Sequence, residues 1–428
     1  MRRILKSMVS LILVSIFLSI CLINVVYGEQ ITLVYAHWFG NVDYAAQAKA
    51  AVEAYMKLNP NIKIEILHIP WAQYWVKIPA MCAAKEGPDV FNIDSATLRD
   101  FVDMGVLEEI TPSLLKKLDI DLSTYHPFVW KEVKIYGKIW TIPYGISPSY
   151  LIYNKTMFEK AGINRPDVNW NWNDFLTAAK KLTEPASGAT PGKFGTFTNQ
   201  ALANYWAQYI WQNGGEILNT QHTKCLLDQP KAVEAMQWIQ DLIIKHKVAP
   251  LPDALQAMGG LPFMSGRIGM YTGWTGIGVL SYNQIKDFEW AATILPKHPT
   301  TGKRTPVARV GGEQIAIYKE SKHKEEAIKF AKFLADYMGT GGIGFVPANT
   351  KLWEKYFINH PRTSKIAKAS IEMFKYARPN PYTNKFNEWD TATQEEVVLM
   401  FSGEKTAEQA MKDATRRVDA ILASIKKK

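Results

Sequence analysis

The sequence has 428 residues, of which 47% are hydrophobic and 21% are charged, with a formal net charge of +10. This length is too great for one ordinary core and indicates two domains, and the apolar content is sufficient to bury both. The basic surplus is spread along the chain without any RNA- or DNA-binding signature, so no nucleic-acid partner is expected.

The N-terminus has the pattern of an export signal. Three cations in the first six residues precede an apolar stretch that carries no charge until Glu29, and Val26-Tyr27-Gly28 supplies a cleavage site. This pattern predicts a cleaved signal peptide over residues 1–28, whose removal lowers the net charge to +7. Two alternatives stay open, because the apolar stretch is long enough to anchor the chain uncleaved, and Cys21 could be lipidated although the bulky Ile20 disfavours it. Each outcome places the folded part outside the cytoplasm, in the periplasm or at the cell surface.

The mature chain opens with a β-α-β pattern. Residues 31–36 predict a strand, and a helix follows from Tyr44 to Leu58, where Asn59-Pro60 ends it. Alternating isoleucines at 62, 64 and 66 predict a second, half-buried strand. This order is the start of a parallel sheet that has helices on its faces.

The same alternation continues to the C-terminus and predicts an α/β protein. Further strands are expected over 88–93, 137–142, 150–153, 268–271, 291–295 and 313–318, and helices over 96–104, 155–161, 171–182, 230–245 and 324–337, with a last helix starting at Thr406. Because no long polar linker separates two domains, the chain is expected to cross between them several times, which makes a hinge.

No catalytic or metal-binding motif accompanies this pattern. There is no His-Glu-x-x-His helix, nucleophile elbow or Walker loop, and no Cys/His cluster has zinc spacing. We therefore expect that the protein is not an enzyme and that it binds no cofactor and no metal. The sequence alone leaves open a glycosidase pair such as Asp94 and Glu313. Cys82 and Cys225 are expected to be buried free thiols.

Six segments, in order along nearly the whole mature chain, resemble the extracellular solute-binding proteins of ABC importers, the class that includes maltodextrin-binding protein. They are Gly87–Leu107, Tyr136–Gly162, Asn171–Thr183, Phe263–Trp274, Gly311–Leu334 and Trp389–Gly403. The sequence departs from the family pattern at Asn171, where threonine is frequent, and at Gly269, where alanine is frequent.

The resemblance implies a type II periplasmic-binding-protein fold with two α/β lobes and a ligand cleft between them. The first lobe would comprise residues 29–142 and 296–345, and the second residues 143–295 and 346–428. The expected ligand is a sugar, and the many aromatic residues favour an oligosaccharide. The expected partners are the permease subunits of an ABC importer, and the protein is expected to be a monomer.

Candidate ligand residues are aromatic and polar side chains that follow predicted strands, because ligands of open α/β sheets bind beyond the carboxyl ends of strands. Flat rings cover the apolar faces of a sugar, and fixed polar groups satisfy its hydroxyls. Position after a strand or at a crossover, or the resemblance, selects Trp38, Asp94, Ser95, Tyr144, Ser147, Tyr205, Trp206, Trp274, Glu313 and Trp389. Weaker candidates are Trp71, Tyr74, Arg309 and Gly312. Tryptophans inside predicted elements, at 140, 172, 211, 238 and 290, are expected in the core.

Two other functions fit the same sequence. An exported carbohydrate-active enzyme would share the export signal and the tryptophans. The same receptor fold could also take a polyamine, a phosphodiester or a peptide. A cationic ligand would need several carboxylates in the cleft as well as the aromatic residues. A phosphate would need basic residues or a helix N-terminus, and Arg309 is the nearest candidate.

Overall fold

The computed structural model describes residues 30–38, 42–187, 191–199, 205–274 and 277–425. The predicted signal peptide and Cys21 lie outside these ranges. Across the described residues, no helix has the length and apolar character needed to cross a bilayer.

Helices and strands alternate through the described chain, which confirms the α/β class. The strands are β1 (Ile31–His37), β2 (Ile62–His68), β3 (Val90–Asn92), β4 (Lys134–Ile135), β5 (Lys138–Ile139), β6 (Thr141–Pro143), β7 (Gly145–Asn154), β8 (Met270–Trp274), β9 (Trp290–Thr293), β10 (Ala308–Arg309), β11 (Gln314–Ile317) and β12 (Val346–Pro347).

The α-helices are α1 (Val42–Leu58), α2 (Trp71–Ala83), α3 (Ser95–Met104), α4 (Pro112–Lys117), α5 (Pro127–Val133), α6 (Lys155–Lys160), α7 (Trp172–Leu182), α8 (Ala207–Gln212), α9 (Pro230–Ile243), α10 (Pro252–Gln256), α11 (Ile277–Tyr282), α12 (Lys324–Gly339), α13 (Ser364–Met373), α14 (Phe386–Ser402) and α15 (Ala407–Ala423). Short 3-10 turns lie at Leu122–Thr124, Pro262–Ser265 and Thr350–Leu352, and a π-helical turn lies at Glu354–Ile358.

Two five-stranded sheets organise these elements. The first sheet has the order β2-β1-β3-β11-β6, with β1 parallel to β2 and β3 and with β11 antiparallel to its neighbours. In the second sheet the long strand β7 pairs antiparallel with β8, β9, β10 and β12. The two sheets correspond to a two-lobed arrangement.

Each sheet is covered on both faces, as a buried sheet requires. In β7, Tyr150 and Ile152 join the largest core, whereas Leu151 and Tyr153 point to the opposite face and join a second core with α7, α9, α14 and α15. In the first sheet, Tyr35 belongs to the largest core, and its neighbour Ala36 belongs to a third core with α2 and α3.

Local capping explains where several helices start and end. The Asn171 side chain accepts from the backbone of Asn173 and Asp174, and the Asp174 carboxylate accepts from the Asn171 backbone, which completes a capping box at α7. Thr406 caps α15 by accepting from the backbone of Gln409. Gly105 ends α3 in the left-handed conformation, at φ 71°.

The core predictions were largely right. Cys82 and Cys225 are buried free thiols, as expected. Of the tryptophans predicted to be in the core, Trp172, Trp211 and Trp290 are buried, and the other two, at 140 and 238, are half-buried against the cores.

Several predicted strands differ from the structure in their bounds, and the strand expected over 137–142 differs most in kind. It starts at Lys138, because Tyr136 and Gly137 both have positive φ and form the tight turn between β4 and β5. It is also divided at Trp140 into β5, which pairs with β4, and β6, which pairs with β11.

Candidate functional site

The two sheets are joined by crossover segments that lie side by side. Tyr144 is the single residue between β6 of the first sheet and β7 of the second. Residues 310–313 link β10 of the second sheet to β11 of the first. The backbone N–H of Tyr144 donates to the carbonyl oxygen of Glu313 at 2.9 Å, so the two crossovers are hydrogen-bonded to each other. This pair of crossovers places both residues at the predicted hinge.

An aromatic cluster lies at the carboxyl end of β1. Trp38 follows the strand, and the first turns of α2 bring Trp71, Tyr74 and Trp75 to within 4.9–5.2 Å of it, measured between ring centroids. Trp38 is 7% exposed and Tyr74 is fully buried, whereas Trp71 is 50% exposed. The cluster therefore has a buried base and an accessible edge.

Gly312 lets the indole of Trp38 approach the second crossover. A Cβ atom at this position would lie 2.3 Å from Cζ2 of Trp38, which no side chain tolerates. The carbonyl oxygen of Gly312 accepts from Nδ2 of Asn92 at 3.0 Å and from the Tyr144 hydroxyl at 3.3 Å. The Tyr144 hydroxyl also contacts that of Tyr44. This network fixes the crossover beneath the ring.

A buried cluster of charges lies beside Gly311, the residue before Gly312, where an added Cβ atom would meet the side chains of Glu313 and Arg309. Asp94 caps α3 and lies 3.6 Å from Nη2 of Arg309, measured from Oδ2. Glu132 of α5 and Glu313 of the crossover are 6% and 4% exposed, and both interact electrostatically with Arg309. Three carboxylates thus share one guanidinium, and Tyr382 approaches the same group.

Burial changes the acidity of two of these carboxyls. It raises the pKa of Glu313 to about 8, against the opposing attraction of Arg309. It also raises the pKa of Glu132 to about 8, although the backbone N–H of Val310 and the Ser95 hydroxyl donate to that carboxyl. Burial therefore favours the neutral form of both carboxyls and lowers the negative charge of the cluster.

Ser95 is held by its neighbours within this cluster. Its hydroxyl donates to Oε2 of Glu132 at 3.1 Å and accepts from Nε2 of Gln314 at 2.9 Å. The same Gln314 amide donates to the carbonyl oxygen of Gly311 at 2.8 Å. Ser95 therefore helps to position the crossover. The single O–H donor of its side chain is already bonded to Glu132.

Several buried polar atoms in this region make no hydrogen bond to another described residue. They are Oδ2 of Asp94, Oε1 of Glu132, Oγ of Ser147, Oε2 of Glu313 and Oδ1 of Asn380. Ser147 lies directly opposite Arg309 in the pairing of β7 with β10. Since buried polar atoms without hydrogen-bond partners are costly, this concentration marks a place where partners are missing.

The remaining predicted residues lie on the side of the second sheet. Tyr205, Trp206 and Trp389 are fully buried in the second core. The indole N–H of Trp389 donates to Oγ1 of Thr383 at 2.9 Å. Trp274 ends β8 opposite Ser149, and its side chain lies outside the described part of the chain. These four residues stay predictions as ligand contacts.

Sequence reasoning missed Asn92, Glu132, Gln314 and Tyr382. Trp75 belongs to the same aromatic run as Trp71 and Tyr74 in the sequence, and the structure packs it against both. Among the described residues, no three His, Cys, Asp or Glu side chains are grouped so that they could hold a metal ion.

Comparison with known families shows what this architecture belongs to. The family model described as bacterial extracellular solute-binding protein matches residues 40–341, which is well over half of the chain. The chain belongs to this family. A putative binding protein of Brucella abortus is 27% identical to this solute-binding protein, and the match covers 89% of this chain and 90% of the relative. The arabinooligosaccharide-binding protein of Bacillus subtilis is 24% identical over 68% of this chain and 64% of the relative.

Solved structures share the two-lobed fold of this solute-binding protein. An ABC substrate-binding protein of Listeria monocytogenes, solved in complex with cycloalternan, has a TM-score of 0.79 and 25% identity, covering 92% of this chain and 100% of that one. The maltose-bound MalE3 of T. maritima has a TM-score of 0.75 and 22% identity, covering 91% and 100%. These likenesses confirm the predicted fold class, and the family is one of binding proteins, not an enzyme family.

Proposed function

We propose that this solute-binding protein captures an oligosaccharide between its two lobes and presents it to the permease subunits of an ABC importer. The observation that carries the proposal is the contact of Trp38 with Gly312, one residue from Glu313. It sets the aromatic cluster, whose accessible edge is Trp71, beside a group of buried polar atoms that make no hydrogen bond to another described residue. A sugar offers the matching chemistry, because its C–H faces pack on indole and its hydroxyls can both donate and accept.

The comparisons support a carbohydrate as the ligand class. One relative is named for binding arabinooligosaccharides, the structure from Listeria monocytogenes was solved in complex with cycloalternan, and that of T. maritima MalE3 is bound to maltose. The lobes expected from the sequence are residues 29–142 with 296–345 and residues 143–295 with 346–428, and the pairing of β10 with β7 favours a return to the first lobe later, at residues 310–313. We also propose that the protein is exported, that it is a monomer, and that it catalyses no reaction. Its N-terminus or its permease would hold it near the membrane.

A thermal-shift screen tests the ligand class. A ligand that binds only the folded state raises the melting temperature by mass action, by an amount that grows with its concentration. We expect neutral oligosaccharides to raise the melting temperature more than monosaccharides do. A shift with spermidine or glycerol phosphodiesters, and none with any sugar, would replace the proposed ligand with a cationic or anionic solute.

A product assay separates binding from catalysis. The protein is incubated with labelled oligosaccharides at a hundredth of their concentration, and the products are separated by chromatography. We expect the labelled sugars to be recovered intact. Turnover beyond one equivalent would identify an exported carbohydrate-active enzyme instead.

A further inference from the structure

A second polar contact joins the two sides of the molecule, apart from the candidate sugar site. Nδ2 of Asn384 donates to Oδ1 of Asp100 at 3.0 Å and to Oδ2 of Asp103 at 2.8 Å. The backbone N–H of Lys385 also donates to Oδ1 of Asp100, at 3.4 Å. We name Asp100, Asp103 and Asn384 the rim contact.

The rim contact connects two helices that also carry candidate ligand residues. Asp100 and Asp103 lie on α3, which follows a strand of the first sheet and is capped by Asp94. Asn384 lies two residues before α14, which packs in the second core and carries Trp389 one turn after its start. Ala96 of α3 packs against that second core. The approach of α3 to α14 therefore brings the rim contact and two candidate ligand residues together.

Asp100 depends on donors from the other side of the molecule. Carboxylates three residues apart on a helix are neighbours, and like charges there repel. Burial raises the pKa of Asp100 and Asp103 adds to the rise, whereas the bonds from Asn384 and Lys385 lower it. The Tyr136 hydroxyl donates to Oδ1 of Asp103 at 3.1 Å from the same side as α3. Separation of α3 from α14 would leave Asp100 without its two donors.

We propose that the rim contact is a latch that favours the closed form whether or not a ligand is bound. A contact that exists only in the closed form shifts the equilibrium toward that form by its own free energy. None of the three side chains belongs to the candidate sugar site, so the latch sets the closed population without touching the ligand. As a statement about ligand affinity, the proposal rests on the proposed function; as a statement about lobe closure, it does not.

Small-angle X-ray scattering of the unliganded protein, combined with ligand titration, tests the latch. Asn384→Ala removes the side-chain amide that donates to both aspartates, and Asn384→Asp adds a third carboxylate. Both variants should have a larger radius of gyration than the wild type, the aspartate variant the larger of the two. Asn283→Ala is the matched control, because its exposed amide donates to the carbonyl oxygen of Arg362 instead, and it should scatter as the wild type does.

The same variants are titrated with the sugar that the thermal screen selects. Loss of hydrogen bonds to charged groups predicts roughly tenfold weaker affinity for Asn384→Ala, with an unchanged radius at saturation. Wild-type scattering together with affinity within twofold of wild type would overturn the latch. If no sugar binds the wild type, the proposed function fails and the scattering comparison alone decides: unchanged curves for both Asn384 variants overturn the latch, and expanded ones support it.

Discussion

Arg309 lies opposite Ser147 in the second sheet and reaches across to Asp94, which caps the helix that follows β3 of the first sheet, at 3.6 Å. The Asp94 and Arg309 side chains are 3% and 17% exposed. This ion pair therefore spans the crossovers, and its strength is linked to how the two sheets are positioned.

Replacing Arg309 with methionine should destabilise the protein more at pH 8 than at pH 5. Removal of one partner of a buried pair costs about 3 kcal/mol of unfolding free energy, because a buried charge is left uncompensated. At pH 5 the neighbouring Glu132 and Glu313 are protonated, so less negative charge is left behind. Urea unfolding at both pH values measures the difference. Arg309→Lys is the control that keeps the charge, and equal losses at the two pH values would contradict the charge cluster.

Glu313 and Glu132 should make the folded state less stable as pH rises. Each group has a pKa of about 8 in the folded protein against an ordinary value of 4.5. Between these two pH values the folded state holds protons that the unfolded state has released. The contribution of the two carboxyls to the unfolding free energy is therefore fully present below pH 4.5 and is lost as pH rises to about 8. The slope is at most about 1.4 kcal/mol per pH unit for each group.

Glu313→Gln isolates this effect from other titrating groups. His37 has the opposite effect on the pH dependence of stability. Burial lowers the pKa of His37, so its contribution to the unfolding free energy grows as pH rises toward 6.5. The difference in unfolding free energy between wild type and variant cancels that background. Urea unfolding from pH 5 to 8.5 should show the glutamine variant losing less stability than the wild type. Parallel curves would mean that Glu313 is ionised throughout.

Gly312→Ala should displace the Trp38 ring and weaken folding. The added Cβ would lie 2.3 Å from the indole, so the ring or the crossover must move. Overpacking of this kind costs about 1–3 kcal/mol. Gly260→Ala is the control, because a Cβ there meets nothing within 4 Å. Urea midpoints and tryptophan fluorescence measure both variants, and a wild-type midpoint for Gly312→Ala would contradict the close approach.

Trp71 and Trp389 should respond differently to alanine. Trp71 is half exposed, so Trp71→Ala should change the unfolding free energy by under about 1 kcal/mol while weakening sugar affinity. Trp389 is fully buried, so Trp389→Ala should cost about 3–5 kcal/mol of stability. Chemical unfolding and calorimetry on the same samples separate the two effects. Wild-type sugar affinity for Trp71→Ala would remove it from the site.

The sequence predicted the regular parts of this fold because their signals are local. The stripe of α1, the capping box at Asn171 and the glycine that ends α3 each depend on residues within one or two turns. Tertiary pairing determined the rest. The strand predicted over 150–153 extends back to Gly145, because residues 145–148 pair with β10 and β12 from much later in the chain.

The candidate site was predicted only where a side chain directly follows a strand or lies at a crossover. Trp38, Asp94, Tyr144 and Glu313 meet that condition and lie around the two crossovers. Glu132 could not be found in this way, since nothing in the sequence of α5 shows that its carboxyl accepts from Val310, 178 residues away. The same holds for Tyr382, which reaches Arg309 through tertiary packing.

Calorimetric titration of the wild type and of Trp38→Ala, with the oligosaccharide that the thermal screen selects, tests the central claim most directly. Both proteins are first shown to be folded at the temperature of the titration. We predict saturable one-to-one binding for the wild type and affinity at least about tenfold weaker for the variant, since aromatic contact contributes on the order of 1 kcal/mol beyond the area that it buries. Equal affinities for the two proteins would contradict a sugar site built on the Trp38 ring beside the Arg309 cluster.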